Sequence, residues 1–420
     1  MSGLTIKIFF HTKYVIIGAS AAGINAAKTL RKLDKSSKIT IISKDDAVYS
    51  RCMLHKVLEG SRNLETINFV DPDFFEKNNI EWIKDADVST IDIDKEKVLL
   101  QDNSSFKFDK LLIASGASSF IPPVKNLREA KGVYSLRNFE DVTAIQDKLK
   151  STKRVVILGA GLVGIDALLG LMVKNIKISV VEMGDKILPL QLDKIASTMY
   201  EKLLKEKGID VFTSVKLEEV VLNKDGFVSK AVLSNSTTID CDMIIVAAGV
   251  RPNISFIKDS RIKVEKGIVI DKHCKTTVDN IYAAGDVTFT APIWPIAVKQ
   301  GITAAYNMAG INRELTDNFG MKNSMNLFNL PCVSLGNVNP PDDSYSVDTL
   351  EWDGVYQKII HKDGVIYGAL LLGDISYCGV LGYLIKNKIN ISNIHKNIFD
   401  IDYSDFYNVE EDGQYSYQLR

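Results

Sequence analysis

The chain of 420 residues is 46% hydrophobic, too long for one ordinary core and rich enough in apolar residues for two or three. Lys plus Arg (51) nearly balances Asp plus Glu (52), and a net charge of −1 argues against a nucleic acid, an anionic membrane or a strongly charged partner surface. The five cysteines, Cys52, Cys241, Cys274, Cys332 and Cys378, are scattered without a CxxC pair, as expected of a reducing compartment rather than a disulfide framework.

In chain order, MSGLTIKIFFHTK reads as a short leader into a strand, because Lys7, His11 and Lys13 interrupt its apolar residues. No window reaches the roughly 18 apolar residues that a spanning helix requires, so a cytoplasmic protein is expected. YVIIGASAAG (Tyr14–Gly23) then joins a β-branched run to a turn of small residues, Gly18, Ser20 and Gly23 among them. Such a turn opens a helix whose free N–H groups and positive end suit a pyrophosphate, although Ser20 takes the place of the usual second glycine. A second strand, KITIIS, ends at Ser43 where a ribose-binding acid would be expected. Lys97–Leu100 and Phe106–Leu112 are expected to pair as a hairpin through DNSS, leading into LLIASGA with Ala114, Ser115 and Gly116.

The same unit recurs from Arg154 as RVVILGAGLVG, then KISVVE. Gly159, Gly161 and Gly164 have the full GxGxxG spacing around Leu162 and Val163, and Glu182 ends the next strand, where a carboxylate can accept both ribose hydroxyls and repel a 2′-phosphate. A hairpin through Asp225-Gly226 follows, then MIIVAAGVRPN, with Gly249, and IYAAGDV, with Gly285 and Asp286. Beyond about Met325 strands with Asp-Gly turns precede a helix. The expected architecture is therefore α/β, with two Rossmann-like dinucleotide-binding domains and a smaller α+β C-terminal domain. Residues 1–120 and 250–324 would form the first, 121–249 the second and 325–420 the third. The spacing of His273, Cys274, Cys332, His361 and Cys378 predicts no metal centre.

GASAAG, LLIASGA, GAGLVG with Glu182, AAGVRPN and YAAGDV in this order resemble the FAD-dependent pyridine nucleotide-disulfide oxidoreductases. Within that family, YSRCMLHK resembles the segment of NADH:rubredoxin and ferredoxin reductases and of the flavin domain of NADH-dependent nitrite reductases, usually Tyr-x-Arg-Pro-x-Leu-x-Lys. Tyr49, Arg51, Leu54 and Lys56 match, and Cys52 replaces the proline. The resemblance implies FAD and NADH as cofactors. It implies that Gly18, Ser20 and Gly23 bind the FAD pyrophosphate, that Asp286 bonds the ribityl chain, and that Arg51, Arg137 and the Ala114–Gly116 step hold the flavin nucleotide. Val88 would offer backbone groups to adenine, and Trp294 would sit at the flavin edge, opening a helix whose dipole favours reduced flavin. Lys56 would lie by flavin N5 and pair with Asp166, where glutamate is usual.

Hydride would pass from NADH to flavin N5 and electrons onward to a rubredoxin- or ferredoxin-like protein, in a monomer or homodimer. A second alternative makes Cys52 the thiol of an NADH oxidase, NADH peroxidase or coenzyme A-disulfide reductase; otherwise Cys52 is a small apolar filler. A third is a flavoprotein docking module with slow NADH turnover.

Overall fold

The computed structural model describes residues 11–317 and 322–417, so the predicted leader before His11 lies largely outside the described residues. Two compact units result. One comprises Met1–Phe120, Arg137–Val142 and Gly249–Asn318; the other comprises Ile121–Leu136, Thr143–Ala248 and Phe319–Arg420.

The first unit is built on a five-stranded sheet in the order Ile281–Ala283, Lys110–Ile113, Lys13–Ile17, Lys38–Ile42, Ile80–Ile83. Every neighbouring pair is parallel. KYVII and KITII each begin on an exposed lysine and are buried thereafter, since β-branched runs suit a sheet covered on both faces. The Ala21–Leu33 and Trp294–Met308 helices pack so closely that a Cβ on Gly301 would lie 2.2 Å from the Ala22 carbonyl oxygen. That approach accounts for the small residues Gly301, Ala304 and Ala305 of the second helix. The expected hairpin before LLIASGA is shorter than its sequence run. Lys97–Leu100 pairs with Ser105–Lys107, but Lys110–Ile113 leaves for the parallel sheet. Asp109 makes the break, its carboxylate accepting from the Lys13 N–H at 2.6 Å and its own N–H donating to the Lys13 carbonyl at 2.9 Å.

The second unit repeats this plan, with a five-stranded sheet ordered Asp210–Phe212, Lys177–Val181, Arg154–Leu158, Met243–Val246, Val133–Ser135. It too is parallel throughout. In both sheets the strand that leads into a glycine turn is central, and the strand order reverses beside it, where doubly wound sheets open a crevice for ligands. The hairpin through Asp225-Gly226 joins Leu217–Leu222 to Val228–Leu233. This unit also holds an antiparallel sheet ordered Lys322–Leu327, Leu330–Gly336, Val365–Leu372, Val355–Lys362, Ser346–Trp352. One face packs Val333, Leu335 and Leu371 against Leu381, Leu384 and Ile385 of the Cys378–Asn387 helix. The α/β class, with two Rossmann-like parallel sheets and an antiparallel C-terminal sheet, is thus the one expected. Among the described residues no helix is long and apolar enough to cross a membrane.

Candidate functional site

Both glycine turns are built by the same hydrogen bonds. Gly18 donates to the Ile42 carbonyl and Gly159 to the Val181 carbonyl, each at 2.8 Å, so each turn is pinned to the neighbouring strand. Gly18 (φ 111°) and Gly159 (φ 105°) lie in the left-handed region, and a Cβ there would reach the Ala114 oxygen at 2.1 Å or the Ala247 oxygen at 2.5 Å. The last glycines repeat the match, because a Cβ on Gly23 would lie 1.9 Å from the Gly18 oxygen and one on Gly164 1.9 Å from the Gly159 oxygen.

The middle residues differ in use. Ser20 and Gly161 are the N-caps of the Ala21–Leu33 and Leu162–Leu171 helices, and neither gives the first turn a side-chain cap. A Cβ on Gly161 would meet nothing within 4 Å, and Leu162 and Val163 beside it are exposed. Uncapped first-turn N–H groups at the positive end of a helix are the donor set that a phosphate needs. The residues present therefore fit a pyrophosphate at each turn.

At the end of Lys177–Val181, the Glu182 carboxylate accepts from the Ala160 N–H through Oε2 and the Gly184 N–H through Oε1, each at 2.7 Å. Those bonds fix its direction beside the second turn and leave lone pairs for further donors. In the first unit, Ser43 at the corresponding place is buried, donating to the Asp45 carbonyl and accepting from the Trp82 indole.

Several expected flavin residues come together in the first unit. Arg51 pairs with Asp45 at 2.7 Å, lies 5.0 Å from the centre of the Tyr49 ring and reaches Asn138 Oδ1 at 3.4 Å. Burial works against its charge, yet Asp45, Tyr49 and Asp286 together hold its pKa above the usual guanidinium value. Arg137 pairs with Asp286 at 2.6 Å and donates to the Ala117 carbonyl at 3.0 Å. Tyr49, pushed up to about 12 chiefly by burial, donates to Asp45 and accepts from the Phe139 N–H. Ser115 and Gly116 are tied to Asn253, whose side chain donates to the Ser115 carbonyl at 2.9 Å and whose N–H donates to the Gly116 carbonyl at 3.0 Å. Gly285 (φ 82°) donates to the buried Gln300 Oε1 at 2.7 Å. Ala114 is buried and donates to the Ile17 carbonyl, and Gly249 lies at φ 96°.

Other expected residues have contacts of their own. Val88 starts the Val88–Asp92 strand and packs on the second hydrophobic cluster of the first unit. Trp294 begins its helix edge-on to Phe69, with ring centres 4.9 Å apart. Lys56 pairs with Glu59 of its own helix at 3.0 Å, a partner that the sequence reading did not anticipate. Asp166, its expected partner, belongs to the Leu162–Leu171 helix of the second unit. Cys52 is exposed in the Arg51–Met53 turn, so it does not fill an apolar gap in the core. His55 bonds the Cys52 backbone, and burial, then the Lys56 charge, lower its pKa.

The sequence reading missed Asn253 and Gln300. Asn253 closes the AAGVRPN motif and so had a signal; Gln300, in an otherwise small and apolar helix, had a weaker one.

The family model for pyridine nucleotide-disulphide oxidoreductases matches residues 12–301. The chain belongs to that family. As a pyridine nucleotide-disulphide oxidoreductase it is an NAD(P)H-dependent flavin oxidoreductase, and membership implies FAD and a nicotinamide nucleotide as its cofactors. The model for the rubredoxin NAD+ reductase C-terminal domain matches residues 322–389, which include all five strands of the antiparallel sheet. The chain is 30% identical over 396 residues to the NADH-dependent phenylglyoxylate dehydrogenase subunit epsilon of Aromatoleum evansii, covering 91% of this chain and 93% of that one. An NADH oxidase of Methanocaldococcus jannaschii is 33% identical over 317 residues, covering 71% of this chain and 70% of its own length. The crystal structure of NADH:rubredoxin oxidoreductase from Clostridium acetobutylicum superposes with a TM-score of 0.75 at 27% identity, covering 92% and 97% of the two chains.

Proposed function

We propose that this oxidoreductase takes electrons from NADH and delivers them, through FAD held by the first unit, to a small redox protein of rubredoxin or ferredoxin type. The observation that carries the reading is the pair of matching glycine turns on two parallel sheets, in a chain that also matches the rubredoxin NAD+ reductase C-terminal domain. When bound, FAD supplies a centre that accepts a hydride and gives up its electrons to a one-electron carrier.

The chain's residues supply binding and electrostatics. Gly18, Ser20 and Gly23 would present the first-turn N–H groups of the Ala21–Leu33 helix to the FAD pyrophosphate. Arg51 and Arg137, each already oriented by a carboxylate, would hold the flavin nucleotide with Asp286, Gly285 and the Ala114–Gly116 step. Val88 and Trp294 would add adenine and flavin-edge contacts. The second turn, Gly159 to Gly164, and Gly249 would receive the nicotinamide nucleotide, with Glu182 accepting its ribose hydroxyls and disfavouring the 2′-phosphate of NADPH. Lys56, paired with Glu59, would supply a cation beside the flavin. These assignments put FAD on residues 1–120 and 250–324 together with Arg137, and NADH on the remainder of residues 121–249.

Turnover with NADH and purified rubredoxin or ferredoxin tests the acceptor. Fast reduction of either supports the reading; negligible oxidation of NADH with these, oxygen, peroxide and coenzyme A disulfide alike would overturn it. The exposure of Cys52 favours one further reading, a thiol-dependent oxidase. Anaerobic NADH titration separates the two, since a working thiol adds a second two-electron equivalent that Cys52→Ala abolishes. Equal titrations of wild type and variant exclude the thiol.

A further inference from the structure

The second unit contains a chain of hydrogen bonds that runs from the antiparallel sheet to the second glycine turn. Asp193 caps the Lys194–Glu206 helix, Oδ1 accepting from the Ala196 N–H at 3.0 Å. Its Oδ2 accepts from Tyr356 Oη at 2.6 Å and Lys358 Nζ at 3.1 Å, both on the Val355–Lys362 strand. Asp193, Tyr356 and Lys358 are all buried. Two helical turns on, the fully buried Tyr200 donates to the Leu330 carbonyl of another strand at 2.9 Å. The helix is thus seated on the sheet at two points.

The same first turns of the helix hold the loop after Glu182. Lys194 Nζ donates to the Asp185 carbonyl at 2.5 Å, and the Ile187 N–H donates to Ser197 Oγ at 3.1 Å. Leu188 is fully buried and held at φ 48°, a conformation a leucine keeps only when its surroundings impose it. Its N–H donates to the Ala160 carbonyl at 2.8 Å, and the Ala160 N–H donates to Glu182 Oε2 at 2.7 Å. A buried ion pair adds little net stability over an apolar replacement, but it fixes direction. Here it fixes the helix that holds the loop against the turn.

We propose that Asp193, through Tyr356 and Lys358, is a positioning residue for the nicotinamide nucleotide, so that the C-terminal sheet sets how tightly the second turn binds it. The inference rests on the reading that this turn and Glu182 hold that nucleotide. The paired variant Asp193→Ser with Lys358→Met keeps an N-cap and leaves neither charge unpaired. In flavin-loaded protein it should raise the calorimetric Kd for NAD+ about tenfold, within the range of coupling through packed networks. Amide exchange should quicken at Ile187 and Leu188 while the sheet amides stay protected. In stopped-flow flavin reduction the loss should fall on Kd for NADH and not on the limiting rate. Tyr356→Phe, which deletes one bond and no charge, should move Kd the same way by less and serves if the paired variant does not accumulate. An unchanged Kd while Glu182→Ala weakens binding overturns the inference and leaves the nucleotide reading intact; no change in either overturns both. A uniform rise in exchange across the unit, with Kd raised and the limiting rate lowered together, would mean general loosening and would also overturn it.

Discussion

At the residue scale, the segment around Arg51 shows how local chemistry is divided between neighbours. Arg51 is held charged by Asp45, Tyr49 and Asp286, whereas His55, one helical turn on, is pushed toward neutrality by burial and by Lys56. Its folded-state pKa lies below the ordinary value of 6.5, so the unfolded chain binds more protons in the window between the two. Stability should be full above pH 6.5 and fall as the pH drops through that window. Urea midpoints should therefore fall from pH 7 toward acid, and His55→Gln should flatten that fall; an unaltered slope would remove His55 as its cause. Glu182 is likewise legible by chemistry. Glu182→Ala should weaken NADH binding by about 1.5–3 kcal/mol through loss of a charge-assisted bond, as read by calorimetry.

At the element scale, the two glycine turns separate what a strand-to-helix junction needs for folding from what it needs for binding. Gly18 has a positive φ and a carbonyl oxygen where a side chain would go, so Gly18→Ala should destabilise by more than about 1 kcal/mol and lower the yield of folded protein. Gly161 has an ordinary extended φ of −74° and open space around it. Gly161→Ala should leave the thermal midpoint nearly unchanged while weakening nucleotide binding, because the added methyl group occupies the approach to the helix N-terminus. Equal losses of stability in the two variants would contradict this division. Ser20 stands at the corresponding position of the first turn, so a side chain is accommodated there where none fits at Gly18 or Gly23.

At the scale of the whole molecule, the antiparallel sheet belongs to the same compact unit as the second parallel sheet. Asp193 and Tyr200 of the Lys194–Glu206 helix and its cap meet Tyr356, Lys358 and Leu330 of the antiparallel sheet in buried contacts. A chain ending at residue 317 should therefore lose stability in the part that carries the second glycine turn, with its calorimetric midpoint lowered by at least about 4 °C. An unshifted midpoint would show that the second parallel sheet folds without its antiparallel neighbour.

The central strands of both parallel sheets were readable in the amino-acid order, because strands buried on two faces must be continuous apolar runs and a tight turn into a helix must use small residues, whereas the short edge strands Ile80–Ile83, Asp210–Phe212 and Val133–Ser135 were not. The glycine positions and Glu182 are set by spacing within one βαβ unit, so a linear pattern suffices to find them. Asp109 ending one strand to start another, Asn253 tying the Ser115-Gly116 step and Gln300 holding Gly285 depend on residues far apart in the chain. So does the burial of Asp193 against Lys358, 165 residues away. An isolated aspartate or lysine reads as a solvated surface charge until the fold removes water from both. Local sterics and periodicity wrote the turns into the sequence; only packing decided which charges are paired, which carbonyls are bound and which thiol faces solvent.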